Sequence, residues 1–503
     1  MVKNLDFREI LKPKLILGPG VQVVKGVAYD SREIKEGYLF VCIEGENTDG
    51  HRYIRAAIDA GAVGIIGSNS DQLLQYAGDH PSLTFVKVND GKAALSQLSA
   101  SFYNHPTENL SMVGVTGTNG KTTVTSYIRS ILNALAIPAG SLGTAGIWDE
   151  KKKTKFKQSV PTTPEAPDLH RVLRHFVSRG LKAVAMEATS IALEQKRLLD
   201  ISYDVAVHTN LTPEHLEFHG TMARYKEAKL KLFRQSKKAV VNRDDAGMAD
   251  DIIQQFTGPL LTYGIDNRKA DISADHIKIT TEGSVFTLRA WNDSFFVQAP
   301  VYGKYNVSNL LAAIGGCLQM GISIEKVLEG LRCLEGPEGR FQQYYASKLP
   351  YQIIMDYAHT PDALEKVLEV ASKLSRRRLI VMITGVGLRD PNKRPLMAKV
   401  AERYADEVVV TVDHPGFFDR REILNDVLEG FTKNAVVNTH ALLHREEAIH
   451  YALDIAHSGD LVLLTGIGFG GYQVIKGENV PYSETAVIEQ YLSKEKSHTN
   501  CNE

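Results

Sequence analysis

The segment GVTGTNGKTT at positions 114–123 combines the residue types that bind a polyphosphate. An apolar run precedes it and a helical pattern follows it at 124–135, so its glycines lie between a buried strand and a helix N-terminus. In such a turn, backbone N–H groups face the anion, a lysine reaches the terminal phosphates, and a threonine hydroxyl is a ligand for Mg²⁺. The spacing between the glycines is two residues shorter than in the strict P-loop pattern, which leaves a solvated turn as the alternative. The predicted nucleotide-binding residues are Gly117, Thr118, Asn119, Gly120, Lys121, Thr122 and Thr123.

Three ionisable residues outside this turn could take part in the same chemistry. Glu187 ends the apolar run 182–187, where a carboxylate is costly unless it is paired or binds a metal ion. His215 follows another strand pattern at 203–209, and Lys229 lies among apolar residues of a predicted helix. Each also has a simpler explanation: an arginine partner for Glu187, a turn for His215, and a surface position for Lys229. Considered singly, His215 and Lys229 favour the simpler explanation.

The order of the elements predicts an α/β protein. Strand patterns alternate with helical patterns, which is typical of βαβ units around a mostly parallel sheet. The alternation restarts after the turn-rich run 336–339 and predicts a second doubly wound sheet. Unusual polar residues are expected at carboxyl strand ends of the two sheets: Glu187 in the first, and Asp356, Thr384 and Asp413 in the second. We predict a small α/β domain at 1–107, a central P-loop domain with a parallel sheet at 108–334, and a C-terminal Rossmann-like domain at 335–503.

The composition narrows the class of protein. The chain has 503 residues, of which 43% are hydrophobic and 23% charged, and its net charge is −1. This balance is ordinary for soluble proteins and argues against broad binding to nucleic acid or membrane surfaces. No apolar stretch approaches the roughly 18 residues of a membrane helix, and the N-terminus lacks the features of a signal peptide. We therefore expect a cytoplasmic protein without nucleic-acid or membrane partners. We also expect it to be a monomer.

Several further motifs, taken together, resemble the Mur ligase family. The matching segments are TGTNGKTT (116–123), TTP (162–164), EATS (187–190), TNLTPEHLEFHG (209–220), YKEAKLKLF (225–233), NRDD (242–245), GKYNVSNLLAA (303–313), GRF (339–341), DYAHTPDAL (356–364) and RDPNKRP (389–395). The resemblance covers nearly the whole chain, in order. The segment 29–54 and the Q-x-R pattern at 195–197 are similar to the members that extend a UDP-N-acetylmuramoyl dipeptide.

The resemblance implies an ATP-dependent, ADP-forming amide ligase of peptidoglycan biosynthesis that uses ATP and Mg²⁺. In this family a substrate carboxylate takes the γ-phosphate of ATP, and an amine then displaces phosphate from the acyl phosphate. Positioning and charge neutralisation dominate such phosphoryl transfer. The implied catalytic residues are Lys121, Glu187, His215 and Lys229. The implied metal ligands are Thr122, Glu187, His215 and Lys229, the last as a carbamate, which offers the oxygen atoms that Mg²⁺ prefers.

The same resemblance implies three sets of binding residues. Beyond the P-loop, the ATP contacts are Asn306, Asn309, Arg340 and Asp356. The contacts to the UDP-linked donor are Ser31, Arg32, Asn47, Thr48, Thr162, Thr163, Thr189, Gln195 and Arg197. The acceptor contacts are Arg389, Asp413 and His414. The implied reaction joins an amino acid or amine to the D-Glu carboxylate of the dipeptide.

Two motifs depart from the family at the acceptor site. Members that add diaminopimelate carry D-N-P-R, whose arginine holds the distal carboxylate, and G-K-G-H-E, whose glutamate meets the distal ammonium. This chain has DHPG at 413–416 and GIGFG at 466–470 instead. An unpaired, buried end group would cost roughly 2–7 kcal/mol per polar group. We therefore expect an acceptor other than diaminopimelate, namely a smaller or more apolar amino acid or an amine, with lysine still compatible.

Two other functions stay open from the sequence. The first is a related ligase that acts on a different carboxylate, such as a folylpolyglutamate-type or secondary-metabolite substrate, which the uridine-type first domain disfavours. The second is a silent nucleotide-binding regulatory protein, which we would expect to lack Lys121, Glu187 or Lys229. Ile191, where the family usually has histidine, together with the changed acceptor motifs, suggests a specialised paralogue.

Overall fold

The computed structural model describes residues 1–45, 48–156, 160, 162–280, 282–344, 349–432, 437–466 and 471–499. The chain forms two compact units. The first unit comprises residues 1–275, 287–297 and 308–335, and the second comprises 276–286, 298–307 and 336–503. Both units have α/β architecture with parallel sheets, as the sequence predicted.

The first unit begins with a small sheet covered by helices. Its elements are β1 (Lys3–Asp6), α1 (Phe7–Leu11), β2 (Leu15–Leu17), β3 (Val21–Val24), β4 (Gly26–Ala28), β5 (Tyr38–Val41), α2 (Ile54–Asp59), β6 (Ala62–Gly67), α3 (Ser70–Asp79), β7 (Thr84–Lys87) and α4 (Gly91–Phe102). The strand order is β2-β7-β6-β5-β4. All neighbours are parallel except the edge pair of β2 and β7, and β1 pairs with β3 separately.

The central sheet contains ten strands. The elements of this region are β8 (Ser111–Thr116), α5 (Lys121–Ala134), β9 (Ala139–Gly143), β10 (Gly146–Trp148), α6 (Ala166–Ser178), β11 (Ala183–Glu187), α7 (Ser190–Glu194), β12 (Tyr203–His208), α8 (Leu216–His219), α9 (Met222–Arg234), β13 (Ser236–Asn242), α10 (Ala249–Gln255), β14 (Leu260–Gly264), β15 (Ile272–Thr280), β16 (Gly283–Ala290), β17 (Asp293–Ala299), α11 (Lys304–Gln319) and α12 (Ile324–Gly330). Their order is β10-β9-β11-β8-β12-β13-β14-β15-β16-β17. The pairs from β9 to β15 are parallel, which confirms the predicted sheet.

Close packing on β8 positions the region that follows it. Five of its six residues are buried because helices cover both faces of this sheet. A Cβ atom on Gly114 would lie 2.8 Å from side-chain atoms of both Leu232 and Tyr203. Glycine therefore lets α9, which carries Leu232, approach the strand closely. This packing brings Lys229 of the same helix beneath the turn that ends β8.

The second unit contains a doubly wound sheet. Its elements after residue 336 are β18 (Gln342–Tyr344), β19 (Gln352–Asp356), α13 (Pro361–Ser372), β20 (Leu379–Val386), α14 (Arg394–Glu402), β21 (Glu407–Asp413), α15 (Arg420–Leu428), β22 (Asn438–Ala441), α16 (Arg445–Asp454), β23 (Leu461–Thr465), β24 (Tyr472–Ile475), β25 (Glu478–Pro481) and α17 (Glu484–Thr499). The order is β18-β19-β23-β20-β21-β22, and only β18 is antiparallel to its neighbour. Apolar clusters cover both faces. Asp356 and Asp413 end their strands, as predicted.

None of the helices in the described ranges is long and apolar enough to cross a membrane.

Candidate active site

The glycine-rich turn connects β8 to α5, as the sequence predicted. Gly117 and Gly120 have φ values of +149° and +89°, which L-residues rarely adopt. A Cβ atom on Gly117 would lie 1.9 Å from Thr209 Oγ1, and one on Gly120 would lie 2.3 Å from Asn309 Oδ1. Both glycines are therefore required for the close approach of neighbouring segments. The structure places Asn309, a predicted ATP contact, directly against the turn.

The segment after β12 holds the backbone of the turn in place. Asn119 N donates to Asn210 Oδ1 at 2.9 Å, and Thr209 Oγ1 donates to Asn119 O at 2.6 Å. Thr118 N donates to Asn210 O at 2.8 Å, and Thr118 Oγ1 donates to Thr212 O at 3.0 Å. These bonds fix the peptide orientation of Thr118 and Asn119. The turn is thus held in one shape by residues of the TNLT segment.

Two lysines of the predicted catalytic set meet at the turn. Lys121 Nζ donates to Gly117 O at 2.9 Å and to Thr118 O at 2.8 Å. Lys229 Nζ donates to Gly117 O at 2.8 Å. Lys229 is buried, and this burial, together with the charge of Lys121, holds the pKa of Lys229 well below its usual range. This environment therefore favours the neutral amine of Lys229 over its ammonium form.

Glu187 lies at the end of β11 with its carboxylate among hydroxyl and amide groups. Glu187 Oε1 accepts hydrogen bonds from Thr122 Oγ1 at 2.8 Å and from Thr144 N at 2.7 Å. A Cβ atom on Gly143 would lie 2.1 Å from Glu187 Oε1, so glycine leaves room for the carboxylate. The described hydrogen-bond partners of the Glu187 carboxylate are hydroxyl and amide groups, not the arginine considered from the sequence. The oxygen atoms of Glu187, Thr122 and Thr144 suit a hard divalent cation such as Mg²⁺.

Tyr225 links three parts of this site. Its hydroxyl lies 3.2 Å from Thr118 Oγ1, and its ring centroid lies 4.5 Å from Lys229 Nζ. The His215 ring lies 6.3 Å from the same centroid. Burial raises the pKa of Tyr225 to about 12, so the hydroxyl keeps its proton at neutral pH. Tyr225 therefore contacts the glycine-rich turn and lies close to two predicted metal ligands, Lys229 and His215.

The predicted metal ligands are only partly brought together. Thr122 meets Glu187, whereas His215 is partly exposed and lies 3.5 Å from Glu217 Oε1 and 3.8 Å from Glu214 Oε2. Across the part of the chain that the structure describes, no cluster of three or more His, Cys, Asp and Glu side chains is arranged to hold a metal ion. A complete ligand set would thus need the Thr122 hydroxyl and modified Lys229 in addition.

Comparison with known proteins identifies the family. The "Mur ligase family, catalytic domain" model matches residues 23–103, the "Mur ligase middle domain" model matches 115–317, and the "Mur ligase, glutamate ligase domain" model matches 339–468. A UDP-N-acetylmuramoyl-L-alanyl-D-glutamate--2,6-diaminopimelate ligase of Geobacillus kaustophilus is 39% identical over 468 residues, which cover 91% of this chain and 92% of that protein. The protein of the same name from Clostridium botulinum is 34% identical over 495 residues, 98% of this chain and 99% of that one. The chain belongs to the Mur ligase family.

Solved structures agree with this assignment. A structure named as a UDP-N-acetylmuramoyl-L-alanyl-D-glutamate--2,6-diaminopimelate ligase matches with a TM-score of 0.72 and 28% identity, covering 98% of this chain and 100% of that one. A MurF ligase of Thermotoga maritima in complex with ADP shares the fold, with a TM-score of 0.60 and 19% identity over 94% of this chain and 99% of that one. This Mur ligase is an enzyme, an ATP-dependent and ADP-forming ligase, as the motifs implied.

A pocket in the first unit of this Mur ligase contains two predicted donor contacts. The pocket has a volume of about 250 Å³ and is lined by Tyr29, Ile43, Gly45, Lys92, Leu95, Glu165, Ala166, Gln195 and Arg197. Arg197 Nε lies 2.7 Å from Glu165 Oε1, and Arg197 also donates to Gln195 Oε1. Burial raises the pKa of Glu165, and the charge of Arg197 partly opposes that rise. The pocket therefore presents the side chains of Arg197 and Lys92 and the amide of Gln195 to a polar ligand.

Three of the four predicted donor threonines, Thr162, Thr163 and Thr189, lie near Glu187 rather than in this pocket. Thr162 Oγ1 lies 3.0 Å from Thr144 Oγ1, and Thr163 Oγ1 donates to Glu187 O at 2.8 Å. Thr163 Oγ1 also lies 3.1 Å from the hydroxyl of Thr189, which caps α7. Arg197 Nη1 donates to Thr163 O at 3.1 Å. Arg197 thus connects the pocket to the threonines around the Glu187 carboxylate, which the sequence predicts to be catalytic.

The remaining predicted donor contacts lie near the first sheet. Ser31 and Arg32 form a short helical turn, and the exposed Arg32 guanidinium pairs with Asp30 at 2.6 Å. Thr48 is exposed, and its hydroxyl lies 3.3 Å from Tyr53 Oη. Asn47 lies outside the described residues. These side chains are available to a ligand, but they are not part of the pocket that contains Arg197.

Three predicted ATP contacts belong to the second unit. Asp356 Oδ2 accepts from Phe341 N at 2.7 Å, and Asp356 Oδ1 accepts from Ala358 N at 2.8 Å. Burial raises the pKa of Asp356 to about 6, although the nearby Arg340 opposes the rise. The Arg340 guanidinium lies 4.8 Å from the ring centroid of Tyr357. Asn306 Nδ2 donates to Tyr302 O at 3.1 Å. Asp356 therefore holds the GRF segment against the end of β19.

The predicted acceptor contacts are also in the second unit. Asp413 is buried, and its Oδ1 accepts from His414 N at 2.9 Å. His414 Nδ1 accepts from Val474 N at 3.1 Å, which ties the loop after β21 to β24. Arg389 is exposed on a different loop, beyond β20. Residues 467–470, where the second acceptor motif departs from the family, lie outside the described residues.

Sequence reasoning missed four residues that contact these predicted sites. Tyr225 was quoted inside a family motif, and its position four residues before Lys229 on one helix was a signal that the two side chains meet. Thr144, Lys92 and Glu165 carried no such signal. Their positions depend on loops and on packing between separate parts of the first unit.

Proposed function

We propose that this Mur ligase joins an amino acid or amine other than diaminopimelate to the D-Glu carboxylate of UDP-N-acetylmuramoyl-L-alanyl-D-glutamate. Relatives that cover almost the whole chain carry that donor in their names. The pocket around Arg197 supports an anionic donor, since Arg197 leads from the pocket to the threonines beside Glu187. The observation that carries the acceptor part of the proposal is the backbone conformation of Gly416.

Gly416 occupies the position of the arginine in the diaminopimelate-adding motif. Its φ is +63°, and a Cβ atom there would lie 2.5 Å from Leu388 Cδ2. Its N–H donates to Val474 O at 3.0 Å, and its carbonyl accepts from Lys476 N at 2.6 Å. An L-residue in this conformation costs roughly 1–2 kcal/mol before any clash is counted. The loop conformation therefore favours glycine over residues that carry a side chain. This preference supports an acceptor that needs no arginine partner.

The surroundings of this loop support an acceptor with apolar character. Leu388, Phe417 and Phe418 are 49%, 81% and 55% exposed. Exposed large apolar side chains in one loop region mark a contact surface more often than an isolated exposed leucine does. Lysine stays within the proposed class because it lacks the distal carboxylate that the missing arginine would hold.

The first unit supports the phosphoryl-transfer half of the reaction. The polyphosphate of ATP would lie over the N-terminus of α5, where backbone N–H groups and Lys121 offset its charge. Thr122 and Glu187 would hold Mg²⁺, with Thr144 orienting the carboxylate. The ion would neutralise the terminal phosphates. Lys121 would exchange its carbonyl partners for phosphate oxygens, so that the donor carboxylate can approach the γ-phosphorus.

Lys229 would act as a carbamate. Its buried amine has a lowered pKa, and only a neutral amine can attack CO₂. In that step the nitrogen bonds to the CO₂ carbon and releases a proton, which leaves an anion beside Lys121. Tyr225, whose ring centroid lies 4.5 Å from Lys229 Nζ, would orient this group, and the His215 ring lies 6.3 Å from the same ring. The family-model matches support separate domains for the donor, the nucleotide and the acceptor at 1–107, 108–334 and 335–503.

The test is ADP formation that depends on both substrates. Purified enzyme with ATP and Mg²⁺ should form ADP over many turnovers only when the UDP-linked dipeptide and an amine are both present. Lys121→Met should abolish release, whereas Lys226→Met on the outer face of α9 should not. Release of ADP without the dipeptide, or with another carboxylate in its place, would refute the proposed donor.

A further inference from the structure

Arg445 is the largest of the fully buried side chains in the described parts of the chain, and it carries a charge. Its Nε donates to Glu484 Oε2 at 2.9 Å, and its Nη2 donates to Glu484 Oε1 at 2.6 Å. Its Nη1 donates to Thr384 Oγ1 at 2.8 Å, and Nη2 donates to Thr465 O at 3.0 Å. The planar guanidinium therefore meets partners on three sides with fixed geometry.

These partners lie at the carboxyl edge of the second sheet. Thr384 belongs to β20, Thr465 ends the adjacent β23, and Glu484 begins α17. Asp413 ends β21, and its Oδ2 lies 3.6 Å from Arg445 Nη1. Ligands of doubly wound sheets bind at this edge. One guanidinium thus spans the ends of three neighbouring strands directly beneath the loops that follow them.

The loop after β21 depends on this arrangement. Asp413 accepts the N–H of His414, and His414 and Gly416 are both bonded to Val474 of β24. The guanidinium also borders the turn after β23, because a Cβ atom on Gly466 would lie 2.6 Å from Arg445 Nη1. Both segments where this chain departs from the diaminopimelate-adding motifs therefore start from a strand end that Arg445 contacts.

We propose that Arg445, held by Glu484, is a positioning residue for the acceptor site. It fixes the end of β21, from which segment 413–416 begins, and it sets the orientation of Asp413. This inference rests on the proposed function, in which the acceptor amine binds at this loop. A buried ion pair is a weak source of stability, since well-packed apolar side chains of similar volume often replace it without loss. The Arg445–Glu484 pair serves instead to fix the geometry of the strand ends.

The test compares two double variants. Arg445→Met with Glu484→Met removes the pair at the carboxyl edge. Arg378→Met with Asp460→Leu is the matched control, because that ion pair, 2.7 Å long with Asp460 buried, precedes β20 and β23 at the opposite edge of the same sheet. Each is assayed with ATP, the UDP-linked dipeptide and the amino acid that the wild-type enzyme incorporates from a pool of twenty.

The first double variant should raise KM for that amino acid at least about 10-fold while KM values for ATP and the dipeptide stay within about twofold. Amide exchange of the peptides that contain Gly416 and Lys476 should accelerate at least about 10-fold, with the rest of the second unit unchanged. The control double variant should leave both the KM for the acceptor and the amide exchange rates unchanged. Unchanged acceptor KM and unchanged exchange in the first variant would overturn the inference.

Trapping with hydroxylamine separates this inference from the proposed function. Hydroxylamine nitrogen attacks the acyl carbon of the acyl phosphate and phosphate leaves, so a hydroxamate forms without the natural acceptor. If the wild-type enzyme gives no hydroxamate with ATP and the dipeptide, the proposed function fails, and amide exchange alone decides the role of Arg445. If the first double variant does not fold, Arg445→Lys replaces it. That variant keeps the charge but not the forked geometry, and an unchanged acceptor KM would again overturn the inference.

Discussion

Lys121 and Lys229 donate to the same backbone oxygen, that of Gly117, at 2.9 and 2.8 Å. Two ammonium groups at one carbonyl would repel each other, and the buried Lys229 has the lowered pKa. Conversion of Lys229 to a carbamate would replace this repulsion with attraction, because the product is an anion beside a cation. The pair would therefore link the chemistry of Lys229 to the position of Lys121, the lysine that we propose contacts ATP.

Removal of the Lys229 amine should therefore greatly reduce activity, and a small carboxylic acid should restore part of it. We expect Lys229→Ala to lose at least about 100-fold in kcat, by analogy with the loss of one charge-stabilising group in other active sites. Acetate or propionate should restore part of that activity by occupying the place of the carbamate. Steady-state ADP formation measures both effects. Lys226→Ala, which loses only a pair with Asp251 at 2.9 Å, is the control. Full activity of Lys229→Ala would rule out the carbamate.

The hydroxyl of Tyr225 should contribute to ATP binding. Tyr225→Phe keeps the ring beneath Lys229 but removes the contact with Thr118 Oγ1. A hydrogen bond of this kind is worth roughly 0.5–1.5 kcal/mol, so KM for ATP should rise about 2- to 10-fold. Tyr203→Phe is the matched control, since that buried hydroxyl contacts only Met186 Sδ at 3.5 Å among the described residues. Equal KM values in the two variants would contradict the role of Tyr225 in holding the turn.

The raised pKa of Asp356 predicts a pH dependence of stability. Because its folded-state pKa of about 6 exceeds the ordinary value of 3.8, the folded state binds the proton more tightly than the unfolded state. The stabilising contribution is therefore complete below about pH 4 and is lost as the pH rises through 6. At 1.36 kcal/mol per pKa unit it amounts to about 3 kcal/mol. The measurement is the free energy of unfolding in urea between pH 4.5 and 7.5. Asp356→Asn should show a flatter profile than the wild type, and identical profiles would show that Asp356 does not titrate in this window.

Introducing the family's arginine at position 416 should destabilise the protein and should not produce a diaminopimelate-adding enzyme. Gly416→Arg should destabilise the protein by more than the roughly 1–2 kcal/mol of a left-handed L-residue, because the new side chain also meets Leu388. Gly180→Arg is the control for backbone strain alone, since its φ is +84° and a Cβ atom there meets nothing within 4 Å. Thermal unfolding compares the two. We expect no turnover of diaminopimelate by Gly416→Arg, and efficient turnover would show that the loop accepts the arginine.

The sequence predicted the parts of the fold that strong local patterns specify. The strand at β8, the glycine-rich turn and α5 follow from an apolar run, the glycines and a helical period. Glu187 was identifiable because a carboxylate at the end of an apolar strand is unusual. The strands β15–β17 were not predicted, because they lack the continuous apolar runs that marked the buried parallel strands, and several of their positions are exposed.

The contacts that the sequence could not supply depend on distant segments. Thr144 reaches Glu187 only because β9 and β10 form a hairpin beside β11. Arg445 begins a helix, where an arginine is ordinarily exposed, and its burial depends on Glu484, 39 residues later. Arg197 was predicted as a donor contact from a family motif, whereas its ion-pair partner Glu165 was not predicted. Sequence patterns predict which residues are unusual, whereas their partners follow from tertiary packing.

The central claim is that this Mur ligase extends the UDP-linked dipeptide with an acceptor other than diaminopimelate. The most direct test offers the enzyme ATP, Mg²⁺ and UDP-N-acetylmuramoyl-L-alanyl-D-glutamate with equimolar diaminopimelate and the twenty amino acids, and measures the mass of the nucleotide product. The account predicts one new product whose added mass matches an amino acid other than diaminopimelate. A product that carries only diaminopimelate, formed at a kcat of about 1–10³ s⁻¹, would contradict it.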